Sequence, residues 1–219
     1  VGANNMAIGS LSPVAQLVLL FGMFTQSTPG GVGTGFGTLL LFSIMAIFVG
    51  GLMVGRTPEY LGKKIGTGHV RWAALAILTH PAFILVPFAV ALLGGYVDVG
   101  SASVGASAHN FTSVLYEFTS ESANNGSSLS TGAFTDTTPF FNVAGGFVML
   151  AGRFVPILVM VRIGGLFAEQ ESLPPGPGTL NTATGTFTLY LTLFVVITTA
   201  LIFLPVIALG PLSQILGGG

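Results

Sequence analysis

Along this chain, apolar residues gather into four long runs separated by polar links. The runs cover residues 36–55, 72–97, about 138–167 and 186–209. Each reaches the roughly 20 residues that a helix needs to cross a hydrocarbon core about 30 Å thick. Three contain no charged residue, and the third carries Arg153 and Arg162. Pro81, Pro87, Pro156 and Pro205 lie inside runs. In water they would argue against long helices, but membrane helices tolerate proline where neighbours re-satisfy the freed backbone groups.

The link from Asp98 to Asp136 is too long for a simple turn. Its middle, residues 109–120, places Phe111, Val114, Leu115 and Phe118 three to four residues apart, which predicts a helix far too short to cross a bilayer. Next comes a polar, small-residue run, Ser122-Ala123-Asn124-Asn125-Gly126-Ser127-Ser128. Span, short re-entrant helix, glycine-bearing strand and span together make a pore-lining hairpin. Such backbone survives at membrane depth only when buried in protein or lining a water-filled path. A dehydrating alkali ion needs a ring of oxygen dipoles, best supplied by backbone carbonyls. Glycine lets successive carbonyls turn toward one axis, and the short helix would direct its negative end at the ion. The same stretch also reads as an ordinary surface loop rich in Ser, Asn and Gly. A second segment of the hairpin type opens the chain, Val1-Gly2-Ala3-Asn4-Asn5, again followed by apolar sequence. Ala-Asn-Asn recurs at 3–5 and 123–125. Since Val1 is not methionine and nothing precedes this segment, the expectation is that an amino-terminal part is missing.

Composition sharpens the class. Charged residues make up 6% of the 219, against roughly 25% in an average soluble domain, and the mean hydropathy is +0.86. Too few charges exist to cover a water-soluble surface. The net charge of −1 leaves no basic footprint for nucleic acid. With no cysteine, disulfide frameworks, thiolate metal sites and cysteine nucleophiles fall away together. Orientation follows the basic residues. Arg56, Lys63, Lys64 and Arg71 crowd the link between the first two runs, whereas 98–136 has no Lys or Arg. Residues 56–71 are therefore expected on the cytoplasmic side and 98–136 outside. Alternation then places 168–185 inside, and its run Pro174-Pro175-Gly176-Pro177-Gly178 reads as a stiff, disordered connector.

Gly55-Arg56-Thr57-Pro58-Glu59-Tyr60-Leu61-Gly62-Lys63-Lys64-Ile65 closely resembles a signature of the KdpA family, the potassium-transporting ATPase A subunit. Gly30-Gly31-Val32-Gly33-Thr34-Gly35, residues 122–127, Gly152-Arg153-Phe154 and Leu204-Pro205 with Ala208-Leu209-Gly210-Pro211 resemble further family motifs in the right order. The resemblance covers essentially the whole chain. It implies an all-α membrane protein built from potassium-channel-like membrane–pore–membrane repeats. Residues 1–71 would then end the third repeat, with a filter strand, a broken second helix and a cytoplasmic loop. Residues 72–167 would form the fourth repeat, and 168–219 a cytoplasmic linker and last helix. Val1, Gly2, Ala3 and Asn4, and Ser122, Ala123, Asn124, Asn125, Gly126 and Ser127, would be the filter residues, holding potassium by backbone carbonyls with no covalently bound cofactor. Gly31, Gly33 and Gly35 would form an intramembrane break below the filter, and Arg153 and Arg56 would serve the ion path and coupling. The implied setting is a bacterial or archaeal cell (inner) membrane, with lipid around the chain. Its implied partners are a P-type ATPase catalytic subunit, which would hydrolyse the ATP, and small accessory membrane subunits.

Two departures stand out. The family usually shows a Gly-Glu pair before its glycine loop, but residues 22–29 contain no acid and Gln26 falls about where the carboxylate would be. Glu121 stands where a small residue is more usual. Taken singly, Arg153 lies where an arginine costs about 2.5–3.5 kcal/mol and usually faces protein or water. It reads either as an ion-path charge or as an arginine satisfied by helix-end carbonyls. Arg162 reads as a positive-inside anchor, and Glu59 as a local charge partner of Arg56 and Lys63. The Gly31-x-Gly33-x-Gly35 pattern lacks the strand, Lys and acid of a phosphate loop. His69, His80 and His109 stand far apart, with no ligand cluster around them. A stand-alone potassium channel or secondary cation transporter is the alternative function; a membrane-embedded enzyme would need a nucleophile–base pair or metal cluster that the sequence does not display.

Overall fold

The computed structural model describes residues 2–26, 33–97, 104–129, 138–172, 174 and 179–217. Val1, Gly31, Asp98, Asp136 and connector residues 175–178 lie outside them. The helices are α1 (Pro13–Thr25), α2 (Thr34–Met53), α3 (Thr67–Leu93), α4 (Val104–Ser122), α5 (Pro139–Ala168), α6 (Gly185–Ile207) and α7 (Ser213–Leu216); β1 (Glu59–Tyr60) and β2 (Lys63–Lys64) form a hairpin. Among the described residues, four helical stretches are long and apolar enough to cross a membrane: α2, α3, α5, and α6 with its continuation to Leu216. The all-α membrane fold expected from the sequence is what the chain adopts. Large apolar side chains such as Leu93 (90% exposed) and Met53 (80%) point outward. Lipid solvates such a surface and water would not.

Local chemistry sets the helix ends. Ser12 caps α1, its hydroxyl accepting from the Ala15 amide, with Pro13 in the first turn. α2 closes in a Schellman turn, Gly55 at φ +67 and the Arg56 amide reaching back to the Gly51 carbonyl at 2.8 Å. Gly95, at φ +69, ends α3 in the same way, with the Tyr96 amide on the Ala91 carbonyl. The run read as 72–97 is therefore shifted to Thr67–Leu93, because Gly94-Gly95 stop it. Within the spans, the hydroxyls of Thr38, Ser43 and Thr79 donate to carbonyls four residues earlier, so each is satisfied inside its own helix. Past Pro205, α6 loosens into a π-helical turn over Ala208–Leu212. Pro211 inside that turn brings no N–H to an α-helical ladder.

The chain divides into two compact units. One comprises Ser27–Thr79 and Phe154–Thr198. Its core gathers Leu41, Ile44 and Ile47 of α2, Ala73 and Ala76 of α3, and Val159 and Ile163 of α5. Glycines admit neighbours closely: a Cβ at Gly50 would stand 3.2 Å from the Tyr190 ring, and the Tyr190 hydroxyl donates to the Ala46 carbonyl at 3.0 Å. The signature segment folds as a hairpin whose two turn residues, Leu61 and Gly62, both have positive φ, the conformation that a two-residue hairpin turn requires. This hairpin is tied to the connector after α5. Arg56 donates to the Thr179 carbonyl (3.4 Å), Lys63 to the Gln170 carbonyl, and the Thr179 hydroxyl to Glu59 (2.8 Å). Glu59 thus bonds Thr179, and the described bonds of Arg56 and Lys63 end on backbone oxygens rather than on the acid. Two links expected on one membrane face, the first from its basic residues and the second by alternation, are bonded to each other.

The other unit comprises Val1–Gln26, His80–Arg153 and Thr199–Gly219. Leu20, Phe24, Ile84, Phe88, Val114, Leu115, Phe118, Phe141, Val148, Phe203 and Ile207 pack its core around α4. α4 is longer than residues 109–120, running Val104–Ser122. The π-helical turn lies against it so closely that a Cβ at Gly210 would stand 2.7 Å from the Phe111 ring and 3.0 Å from the Thr112 hydroxyl. Gly164 on α5 meets nothing within 4 Å. Gly210→Ala should therefore destabilise the detergent-solubilised protein by about 1–3 kcal/mol through overpacking. Gly164→Ala should be neutral or stabilise by up to about 1 kcal/mol, through helix propensity alone. Thermal unfolding should show a lowered midpoint for Gly210→Ala and no lowering for Gly164→Ala, and equal shifts would contradict this packing.

Candidate filter site

The site is built on the carboxyl end of α4. A helix leaves its last carbonyls without partners, and here each finds one nearby. Asn124 turns left-handed at φ +55, which lets its amide reach the Glu121 carbonyl (3.0 Å) while the Asn125 amide reaches Ser120 (3.1 Å). The Ser122 carbonyl accepts from Gln26 Nε2 at 3.2 Å. Ser122, read above as the start of the filter strand, is instead the last residue of the helix, and Ala123 and Asn124 complete its cap. The strand proper starts at Asn125, followed by Gly126 at φ +79.

A ladder of polar side chains holds that strand. Tyr116 Oη lies 2.9 Å from Ser127 Oγ. Asn125 Oδ1 accepts from the Ser127 amide (2.9 Å), the Ser127 hydroxyl (2.6 Å) and the Ser120 hydroxyl (3.0 Å). Glu117, 6% exposed, accepts from the Ser128 hydroxyl. Asn124 Nδ2 donates to the Met149 carbonyl of α5 at 2.8 Å. α5 meets this assembly with glycines: a Cβ at Gly145 would strike the Glu121 carboxyl, and one at Gly152 would stand 3.0 Å from Ser122 Cα.

The chain's opening segment joins the same place. Gly2 has φ +68, and a Cβ on it would fall on the Asn125 carbonyl. A cavity of about 430 Å³ opens there, lined by Gly2, Ala3, Asn4, Asn5, Tyr116, Asn125 and Ser127 with the apolar Met6, Ile8, Leu11, Leu19 and Met23. The structure thus brings Gly2, Ala3, Asn4, Asn125 and Ser127 together. Arg153 belongs to the same unit, half-buried on α5 beside Gly152. Gly33 (φ +88), Gly35 and Arg56 belong to the other unit, where Gly33 precedes α2 and Arg56 is exposed.

Sequence reasoning passed over Tyr116, Glu117 and Ser120, and weighed His80 only as a metal ligand. The first three stand on α4 with Ser120 three residues after Glu117 and four after Tyr116, and that spacing was the available signal. Gln26, noted for the carboxylate it replaces, donates to a helix-end carbonyl, which a carboxylate cannot do. Burial pushes the Glu117 carboxyl above the usual carboxylate range, against the Ser128 and Leu129 hydrogen bonds that lower it. Burial and then the charge of Glu117 push Glu121 up to about 8.

The KdpA family, potassium-transporting ATPase A subunit, matches residues 1–216. The chain is 43% identical over 221 residues to the potassium-transporting ATPase potassium-binding subunit of Rhodococcus erythropolis, covering 98% of this chain and 39% of that protein. It is 42% identical to the subunit of the same name from Rhodococcus opacus (98% and 39%). Against that of Clostridium acetobutylicum it is 41% identical over 215 residues (98% and 38%). The chain therefore spans less than half the length of the curated relatives it matches.

Asn125→Ala removes the acceptor shared by three donors and should lower stability in detergent by about 1–3 kcal/mol; an unchanged unfolding temperature would contradict the ladder. Glu121 yields a pH dependence. Folded, it keeps its proton up to about pH 8, whereas its usual pKa is 4.5. The folded state binds more protons across that window, so the carboxyl's contribution to stability falls as pH rises through it. Glu121→Gln should flatten this decline in thermal unfolding followed across the window, and a decline as steep as the parent's would assign it to other groups.

Proposed function

Because the chain belongs to the KdpA family, we propose that it forms part of the potassium-selective pore of an ATP-driven, high-affinity potassium uptake pump. The observation that carries this reading is the meeting of two glycine-bearing segments far apart in sequence. At Gly2 the missing side chain makes room for the carbonyl of Asn125, and both residues line one cavity at the end of a short helix. Potassium is the transported substrate. Backbone carbonyls of residues 1–4 and 125–127 replace its water, and the end of α4 adds a partial negative charge. Gly31, Gly33 and Gly35 serve the passage of the ion as a glycine break, and Arg153 contributes a positive charge to it. Arg56 acts in coupling, from the hairpin loop on the cytoplasmic face.

In this reading the chain conducts and does not hydrolyse. ATP is split in a separate P-type subunit, with small accessory membrane subunits completing the complex in a bacterial or archaeal cell membrane. The repeats follow the order given above: residues 1–71 end one pore repeat, 72–167 form the next, and 168–219 supply the linker and last helix.

The test uses the full-length parent gene, co-expressed with its neighbours in cells lacking high-affinity potassium uptake. Growth at micromolar potassium, with potassium-stimulated ATP hydrolysis by the purified complex, is expected; flux without any ATPase partner would overturn the pump reading. Gly126→Ser puts a side chain at positive φ, a strain of about 1–2 kcal/mol, with no atom within 4 Å to clash. It should raise the apparent KM for potassium severalfold and relax ion preference. Gly2→Ala adds a collision with the Asn125 carbonyl and should impair transport more; the reverse order would refute the placement of the two glycines.

A further inference from the structure

His80 stands in the middle of an apolar span, 6% exposed, yet both ring nitrogens are bonded. Nε2 lies 3.1 Å from the Met23 carbonyl and Nδ1 2.7 Å from Ser122 Oγ. A carbonyl only accepts, so Nε2 carries the proton. In the neutral ring Nδ1 is then the acceptor, and the Ser122 hydroxyl donates to it. The ring is also wedged edge-on against Phe203 (6.3 Å between centroids), which stacks on Phe24 at 3.9 Å.

The two partners are the informative part. Ser122 is the last residue of α4, directly before the strand that carries Asn125 and Gly126. Met23 lies in the last turn of α1, the helix following the strand that carries Gly2. Met23 also touches the second strand itself, its sulfur 3.1 Å from Asn125 Nδ2. One imidazole therefore clamps the element entering one glycine strand to the element leaving the other. Their contact, the Asn125 carbonyl at Gly2, has no slack for a relative shift.

We propose that His80 is a positioning residue for ion selection: through Ser122 and Met23 it sets the register of the two filter strands, and so the spacing of the carbonyls that hold the ion. The inference rests on the pore reading above. It assigns the clamp to a residue outside the filter segments, on a different helix.

The variants separate the two bonds. His80→Phe keeps an aromatic ring and loses both. His80→Asn can present its amide oxygen where Nδ1 was and keep the Ser122 bond. Ser122→Ala deletes that bond from the other side, by one oxygen atom. In the full-length complex, potassium-stimulated hydrolysis is measured against potassium, rubidium and sodium. Ser122→Ala should raise the KM for potassium about tenfold, the weight of one buried hydrogen bond. His80→Phe should raise it at least as far, and both should narrow the preference for potassium over rubidium. The maximal rate should change less than twofold. The double variant should be no worse than His80→Phe alone, and His80→Asn, which keeps the Ser122 bond and loses the Met23 one, should restore only part of the affinity. Should His80→Phe fail to assemble, Ser122→Ala carries the test alone. Unchanged KM and preference in Ser122→Ala beside a potassium-responsive parent would overturn the role of His80 only, as would a maximal rate falling in step with yield. A parent complex that does not respond to potassium would remove the pore reading, and this inference with it.

Discussion

A helix whose end is buried leaves its final carbonyls where no solvent offers a donor, so the protein itself must supply the donors. In this chain that requirement falls on the end of α4. Asn124 and Asn125 turn their amides back onto Glu121 and Ser120, and Gln26 reaches over from the end of α1 to Ser122. Two of the three donors belong to the segment that follows. Satisfying the helix end therefore also shapes the strand, since Asn124 has to adopt a positive φ before Asn125 and Gly126 can continue. The side-chain ladder from Tyr116, Glu117 and Ser120 then finds Ser127, Ser128 and Asn125 within reach.

What surrounds this point follows from it. The capped end needs room, and α5 provides it through Gly145 and Gly152, where a side chain would collide with Glu121 or Ser122. Between membrane helices there is little hydrophobic drive to associate, so close approach and scattered hydrogen bonds hold them. The second unit obeys the same rule with other residues: Gly50 admits Tyr190, whose hydroxyl bonds the Ala46 carbonyl. Outside the spans the devices are those of a soluble protein. Leu61 and Gly62 make a tight hairpin, and Arg56, Lys63 and Glu59 spend their hydrogen bonds on the connector at 170–179.

Departures from the family pattern make physical sense at this level. A carboxylate at position 26 could only accept, and Gln26 is needed as a donor to the Ser122 carbonyl. Glu121, where a small residue is more usual, packs its carboxyl onto a glycine, and burial keeps it protonated to a pH well above the usual range.

The sequence by itself determined the class of protein, the four spans and the presence of a short helix with a glycine-bearing strand. Those features depend on how many apolar residues follow one another and on local turn chemistry, both written in adjacent positions. Span edges slipped by a few residues where glycine caps, such as Gly94-Gly95, outweighed hydropathy. Ser122 was misread because its neighbours are as small and polar as a filter strand, and only the backbone amides of Asn124 and Asn125 show that the helix runs on to it. The tertiary structure alone decided that Gly2 and Asn125 meet, that Gln26 completes α4, and that His80 joins Met23 to Ser122. Each is a contact between residues dozens of positions apart, and a lone histidine in an apolar run carries no local sign of the hydroxyl and carbonyl it will find.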